Sequence, residues 1–302
     1  VVTGDLASPL LGLSEEDFDR LAKDVDAIYH NGAVLNFVFP YQFLKNTNVN
    51  GTIETLRLAC KDHPKYYHYV SSYSVYDTPD NAGKKVYENA PLNNSKGFAL
   101  AYSETKWVSE KLVHLAEKRG LKAVIYRPGD ITGNRKGIWD MDDMVSRVIV
   151  GTIQMGAIPR TTYCMHMTPV DYVADAITCI SRKQEAIGQA FNVINPKAVS
   201  MKYLVSCIRQ CGYNVRYIPF TVWRRRLKAA DTEENSLAIL ECLFEAGTDA
   251  NPGILRHFIG KDTTYDTSKT SLLLNGTGIN CPPVDEHMIA AYLRYFKKLG
   301  CI

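Results

Sequence analysis

The chain has 302 residues, 46% of them hydrophobic and 22% charged, with a formal net charge of +3. A chain of this size buries a large core without staples, and its composition excludes collagen, coiled-coil and wholly disordered classes. The charge is too small to argue for a nucleic-acid partner. No run reaches the roughly 18–20 apolar residues of a membrane helix, and Asp5, Glu15 and Glu16 interrupt any signal-like start.

Eight cysteines form no CxxC pair. Cys207 and Cys211 lie four apart on an expected helix, but no second pair or histidine follows at zinc spacing. Buried thiols in a reducing, cytoplasmic compartment are the expectation.

In chain order, Ser14 opens an acidic amphipathic helix as its cap, with Asp17 at the third helical position. Residues 25–30 read as a short buried strand ending at Asn31-Gly32-Ala33. Residues 44–60 read as a helix with Val49, Ile53, Leu56 and Cys60 at helical spacing. Residues 66–70 form the next strand and end at Ser71-Ser72. Residues 102–119 form a long helix stopped by Gly120, and residues 122–126 a strand closed by Pro128-Gly129. Short apolar strands alternating with helices define an α/β, Rossmann-type parallel sheet with helices on both faces. Ligands in that class sit beyond the carboxyl ends of the strands. His30, Asn31, Gly32, Ala33, Ser71, Ser72, Arg127, Pro128 and Gly129 are therefore expected along one crevice.

Beyond residue 133 the regularity weakens. Helices are expected at 140–150 and 171–181, and a late strand at 191–194. From Ser200 the chain reads as mostly helical, at 201–211, 221–229, 232–246 and 286–298. The expected division is a sheet-based core over 1–135 with 160–195, and a helical lobe over 136–159 and 196–302.

Tyr102-Ser103-Glu104-Thr105-Lys106 places Tyr102 and Lys106 on one helix face. A nearby ammonium favours the phenolate and lowers a tyrosine's pKa. Such a tyrosine can donate a proton to an oxygen on which charge develops. YxxxK arises often by chance and gains weight here from the Ser72 hydroxyl after an earlier strand. His30 reads as a structural hydrogen-bonding residue, Asp171 as the cap of its helix, and His166 as a crevice residue without an evident partner. Trp223-Arg224-Arg225-Arg226-Leu227-Lys228 is the densest basic run, either a solvated helix face or a surface for acidic helices of a partner.

Further stretches join these: Gly4-Asp5-Leu6, Gly12-Leu13-Ser14, His30-Asn31-Gly32-Ala33-Val34-Leu35-Asn36, Pro40-Tyr41 and Asn48-Val49-Asn50-Gly51-Thr52. Tyr69-Val70-Ser71-Ser72, Tyr126-Arg127-Pro128-Gly129 and Met167-Thr168-Pro169-Val170-Asp171-Tyr172 complete the set. With them the chain resembles the extended short-chain dehydrogenase/reductase superfamily. Within it, the chain looks most like the terminal thioester reductase domains of nonribosomal peptide synthetases and their relatives in carboxylic acid reductases. The resemblance covers residues 1–200 well and the remainder more loosely.

The resemblance implies NADPH as cofactor, with NADH not excluded. It implies a carrier protein whose phosphopantetheine thioester is reduced to an aldehyde, with a second reduction to the alcohol left open. Ser72 would orient the carbonyl, Tyr102 donate the proton, and Lys106 hold the nicotinamide ribose. Asn48 would brace the active-site helix through backbone and water contacts. Asp5 and Leu6 would lie beside the adenine, and Gly32 and Ala33 would pass close to the cofactor. Pro128 and Gly129 would flank the nicotinamide, with Ser71 and Ile131 in the same cofactor set. The helical lobe would recognise the acyl chain and the carrier, with Met144, Val148, Ile149, Met155 and Met165 on that side or simply in the core.

The superfamily's GxxGxxG loop is absent from these residues. The chain is therefore expected to begin at the third strand of the sheet and to be one piece of a longer protein. The loop would lie in an upstream segment or upstream synthetase domains. No nucleic-acid or membrane partner is expected. A fatty acyl-CoA or small-carbonyl reductase and a catalytically silent binding module are the alternatives. Sugar-nucleotide epimerases share the tyrosine–lysine core, but Asn36, Pro40-Tyr41 and Gly12-Leu13-Ser14 fit the thioester reductases better.

Overall fold

The computed structural model describes residues 1–231, 235–244 and 263–302. Ser14 Oγ accepts from the Asp17 amide at 3.1 Å and starts α1 (Glu15–Asp24), which leads into β1 (Ala27–His30). Next come α2 (Tyr41–Lys45) and α3 (Gly51–Cys60), joined by a π-helical turn at Asn46–Asn50. This helical run starts earlier than residue 44, because Pro40 supplies the extended residue that precedes a first turn.

Then follow β2 (Tyr66–Val70), β3 (Lys85–Val86), α4 (Ala101–Glu117), β4 (Ala123–Pro128) and β5 (Asp130–Thr132). The middle of the chain holds α5 (Met144–Met155), β6 (Ala157–Pro159), β7 (Cys164–Met165), β8 (Met167–Pro169), α6 (Val170–Ile180) and β9 (Gln189–Val193). The remainder holds β10 (Val199–Ser200), α7 (Met201–Gln210), β11 (Arg216–Ile218) and α8 (Phe220–Ala229). It ends with β12 (Thr264–Tyr265), α9 (Ser268–Leu274) and α10 (Glu286–Lys298).

The main sheet is parallel in the order β1-β2-β4-β9. Successive side chains of a strand point to opposite faces, and β4 is buried on both. Ala123 and Ile125 pack with Tyr67, Tyr69 and Val113 of α4, whereas Val124 and Tyr126 pack with Phe191, Val173 and Ile180 on the α6 side. That two-sided burial is why the strand reads as a continuous apolar run.

A separate and larger core joins α5, α7, α8 and α10 through Ile149, Leu204, Ile208, Trp223, Ile289 and Phe296. Val148 and Met165 are buried in it and Met155 packs against it, so these residues, like Ile149, serve packing. The helix expected at 140–150 runs instead from Met144 to Met155. Asp143 Oδ1 accepts from the Val145 and Ser146 amides at 2.8 and 3.1 Å and fixes its start. Of the helix expected at 232–246, the described residues form a 3₁₀ helix, Ala238–Phe244, while 232–234 and 245–246 lie outside them.

The strand expected at the very start is not formed. Val1 and Val2 are exposed, and the Asp5 amide turns the segment back by donating to the Leu11 carbonyl at 2.7 Å. Among the described residues, β1 is the end strand of the sheet.

A pairing without sequence signal brings β12 parallel to β3. It is fastened by Glu88, which is buried. Its carboxylate accepts from the Lys269 amide at 2.6 Å and the Thr270 hydroxyl at 2.6 Å, capping α9 across the molecule. Among the described residues, no helix is long and apolar enough to cross a membrane.

Candidate active site

A cavity of about 560 Å³ opens beyond the carboxyl ends of β1, β2 and β4. Asn31 and Ala33 line it after β1, Ser71 and Ser72 after β2, and Pro128, Gly129 and Ile131 after β4. Tyr102 and Lys106 enter from α4. The expected convergence of distant strand ends on one crevice is therefore present for these residues.

Helical spacing places Tyr102, Lys106 and Glu110 on one face of α4. Lys106 is buried, and its Nζ donates to the Val70 carbonyl at 2.8 Å and stands 5.1 Å from the Tyr69 ring centroid. Burial pushes its pKa down to about 8, against the opposing pull of the Glu110 carboxylate. The expected lowering of the Tyr102 pKa is not found. Burial raises it well above the ordinary phenol value. Tyr102 therefore enters the site as a protonated phenol. Ser72 has extended backbone, and its Oγ lies 2.8 Å from Ser74 Oγ and accepts from the Ser74 amide at 3.1 Å.

Asn48 sits in the π-helical turn rather than on the cavity wall. Its Nδ2 donates to Val34 O at 3.0 Å and to Thr105 Oγ1 at 3.1 Å, while its own carbonyl accepts from Ser109 Oγ at 2.9 Å. The bracing of α4 is therefore direct and uses the side-chain amide. Asp5, Leu6 and Gly32 also lie off the cavity lining. Asp5 ties its own turn, accepting from the Ala7 amide at 2.9 Å and Ser8 Oγ at 2.8 Å. A Cβ on Gly32 would meet Leu6 Cδ1 at 2.6 Å, so the glycine admits Leu6.

His30 is buried, held by Thr52 Oγ1 at 3.0 Å, and kept neutral with a pKa near 3 by burial and then by the Lys106 charge. Asp171 is not a cap. Pro169 precedes α6, and the carboxylate faces Arg135 at 3.5 Å. Met144 alone of the five candidate acyl-side residues lines the cavity.

Sequence reading missed part of the wall. Tyr73 donates to Asp130 Oδ1 at 2.8 Å, and the His166 amide donates to Asp130 Oδ2 at 2.8 Å. The His166 ring sits edge-on to Tyr73 and Tyr265, and its Nε2 lies 3.4 Å from Thr263 O. Thr263 and Tyr265 arrive through β12, for which a two-residue strand leaves no periodicity to find. Asp143 also lines the cavity, and burial first, then Asp130 and Asp140, push its carboxyl up to about 7 against two backbone hydrogen bonds. A residue such as Asp just ahead of an apolar helix was the available signal.

A phenol and an ammonium one helical turn apart, beside small residues at strand ends, form a donor set suited to a nicotinamide and its ribose diol. Lys106 uses one N–H on Val70, and the adjoining wall is Ala33, Ser71 and Gly129. The fold and this donor set define a nicotinamide-dependent oxidoreductase of the extended short-chain dehydrogenase/reductase class.

Comparison with known proteins narrows the class. Residues 1–177 match the NAD-binding family described as male sterility protein. The chain is 35% identical over 305 residues to a linear gramicidin synthase from Brevibacillus parabrevis, covering 99% of this chain and 6% of that protein. It is 34% identical over 255 residues to L-2-aminoadipate reductase of Saccharomyces cerevisiae, covering 78% of this chain and 18% of that protein. The chain thus spans only a small part of the length of these relatives. The crystal structure of the terminal R domain from the myxalamid PKS-NRPS biosynthetic pathway superposes with a TM-score of 0.89 at 38% identity, covering 99% of this chain and 75% of that one. The chain belongs to the NAD-binding male sterility family and, within it, to the thioester reductase (R) domains. Its cofactor is a nicotinamide dinucleotide.

Proposed function

We propose that the protein reduces an acyl or peptidyl thioester, carried on the phosphopantetheine arm of a carrier protein, to an aldehyde with NADPH, and that the same site takes the aldehyde on to the alcohol. The observation that carries this reading is the convergence of Ser72, Tyr102 and Lys106 on one cavity. When bound, the nicotinamide supplies the hydride.

The chain's own residues do the rest. Ser72 Oγ and the Tyr102 hydroxyl are donors for the carbonyl oxygen as it gains charge. Tyr102, kept protonated by burial, delivers its proton to that oxygen. Lys106, cationic below about pH 8, stabilises the phenolate that results and binds the ribose. The tetrahedral hemithioacetal then collapses as its C–S bond breaks, leaving the aldehyde on one side and the thiol on the carrier.

The carrier itself has a candidate berth on α8. Trp223 and Leu227 anchor that helix in the core, whereas Arg225, Arg226 and Lys228 are exposed and Arg224 is half-buried. Such a face suits the acidic helices of a carrier. The free thiols of Cys207 and Cys281 agree with the cytoplasmic location included in this reading.

The test is NADPH oxidation, followed by absorbance, with an acyl-phosphopantetheinyl carrier protein and then with the matching free aldehyde. Oxidation with the thioester supports the reading, and oxidation with the aldehyde extends it to the alcohol. Absence of oxidation with both defeats it.

A further inference from the structure

We propose that Glu110 is a positioning residue for the reduction: together with Lys106 it suspends the end of β2 from α4 and so sets Ser72 against Tyr102. The proposal rests on the thioester-reduction reading above.

The two helix residues grip consecutive strand residues. Lys106 Nζ donates to Val70 O at 2.8 Å, and Ser71 Oγ donates to Glu110 Oε2 at 2.5 Å. Ser72 is the next residue. It leaves the strand in extended conformation and opens the 3₁₀ turn Tyr73–Tyr76. Tyr102 projects from the same helix face that supplies both grips, so the spacing between Ser72 and Tyr102 is spanned by two short, charge-assisted bonds. Such bonds are roughly twice as strong as neutral ones.

The anchor is itself immobilised. Glu110 and Arg127 are 0% and 1% exposed. Arg127 Nε and Nη2 donate to Glu110 Oε1 at 3.0 and 2.6 Å, and Nη1 donates to the Glu88 carbonyl at 3.0 Å. Burial opposes ionisation of Glu110. The Arg127 charge, with hydrogen bonds from His114, Arg127 and Ser71, outweighs it and holds the carboxyl at about 2. Arg127 immediately precedes Pro128-Gly129, so one buried ion pair ties the ends of both β2 and β4 to α4.

Glu110 also bears on Lys106 directly. Around that ammonium stand Glu110 on α4, the Tyr69 ring and Val70 carbonyl on β2, and His30 on β1, with Arg127 and His114 beyond Glu110 and Tyr102 one turn back on the same helix. His30 is neutral, and Glu110 is the charge that favours the protonated lysine against burial.

The experiment compares Ser71→Ala, Ser71→Thr and Glu110→Gln with the native sequence in the intact protein. It measures kcat, the KM for the carrier-bound thioester, NADPH affinity by fluorescence titration, and the pH profile. For Ser71→Ala, kcat is expected to fall about tenfold while KM and NADPH affinity stay within about twofold. Ser71→Thr, which keeps the hydroxyl, restores most of the loss. Glu110→Gln is expected to move the basic limb of the kcat profile below the native midpoint near pH 8, because the ammonium loses its counter-charge.

Native-like kcat in Ser71→Ala overturns the proposal. So does a parallel fall of kcat and NADPH affinity, which would make Ser71 a cofactor contact. Should Glu110→Gln fail to fold with Arg127 left unpaired, the two Ser71 variants decide the matter. Turnover by the native protein checks the functional reading, and the ratio of variant to native checks the positioning role.

Discussion

Asn48 Nδ2 donates to Thr105 Oγ1 at 3.1 Å, and this bond locks the π-helical turn to the helix that carries Tyr102 and Lys106. Asn48 Oδ1 also accepts from the Val34 amide at 2.8 Å. Asn48→Ala strips partners from a buried hydroxyl and an amide at once. It should destabilise the fold by about 1–3 kcal/mol. Urea denaturation checks this, and a midpoint equal to the native one would show that the turn holds without the amide.

On the proposed mechanism, Tyr102→Phe removes the proton donor and little else, since Phe fills nearly the same volume. Turnover of the carrier-bound thioester should fall by roughly 10²–10⁴-fold, with NADPH affinity nearly unchanged. Stopped-flow NADPH oxidation beside fluorescence titration separates the two quantities. Unchanged turnover would remove Tyr102 from the chemistry.

His114 predicts a pH signature of stability. Hydrogen bonds to Glu110 and then Glu117 raise its pKa to about 9. A group raised in the folded state contributes stability that is complete below its unfolded value near 6.5 and is lost as pH rises through about 9. The melting temperature should therefore decline across that window, and His114→Gln should flatten the decline. An identical pH dependence in the variant would assign the effect elsewhere.

The basic face of α8 predicts a split between substrates. Reversing the charge at Arg224, Arg225 and Arg226 should raise the KM for carrier-bound thioester by about tenfold and leave a small pantetheine thioester unaffected. The kinetic comparison is made with both substrates on the same preparation. Equal changes for both would place the arginines outside carrier recognition.

The parallel strands and the meeting of their ends were legible because strands buried on both faces carry an unbroken apolar signal. Tyr102 and Lys106 were legible because helical spacing alone puts them on one face. Glu110 lies one further turn along that face, yet its meaning depends on Ser71 and Arg127, which approach only in the folded chain. Gly32 invited a ligand explanation from its motif, whereas its real neighbour is Leu6, brought from the first turn of the chain. The rise in the Tyr102 pKa was hidden for a related reason: spacing shows that an ammonium lies one turn away, but not how deeply the fold buries the phenol.

Glu88 reaches the Lys269 amide across 181 positions of sequence. Closing so long a loop costs chain entropy before any contact repays it, and contacts of that separation form slowly. The β12 wall that delivers Thr263 and Tyr265 to the cavity must therefore await the arrival of α9. During synthesis, the sheet and the Tyr102 helix emerge and can pair well before that segment leaves the ribosome. The cavity is thus walled in stages, its Thr263 and Tyr265 side closing only after α9 has been delivered.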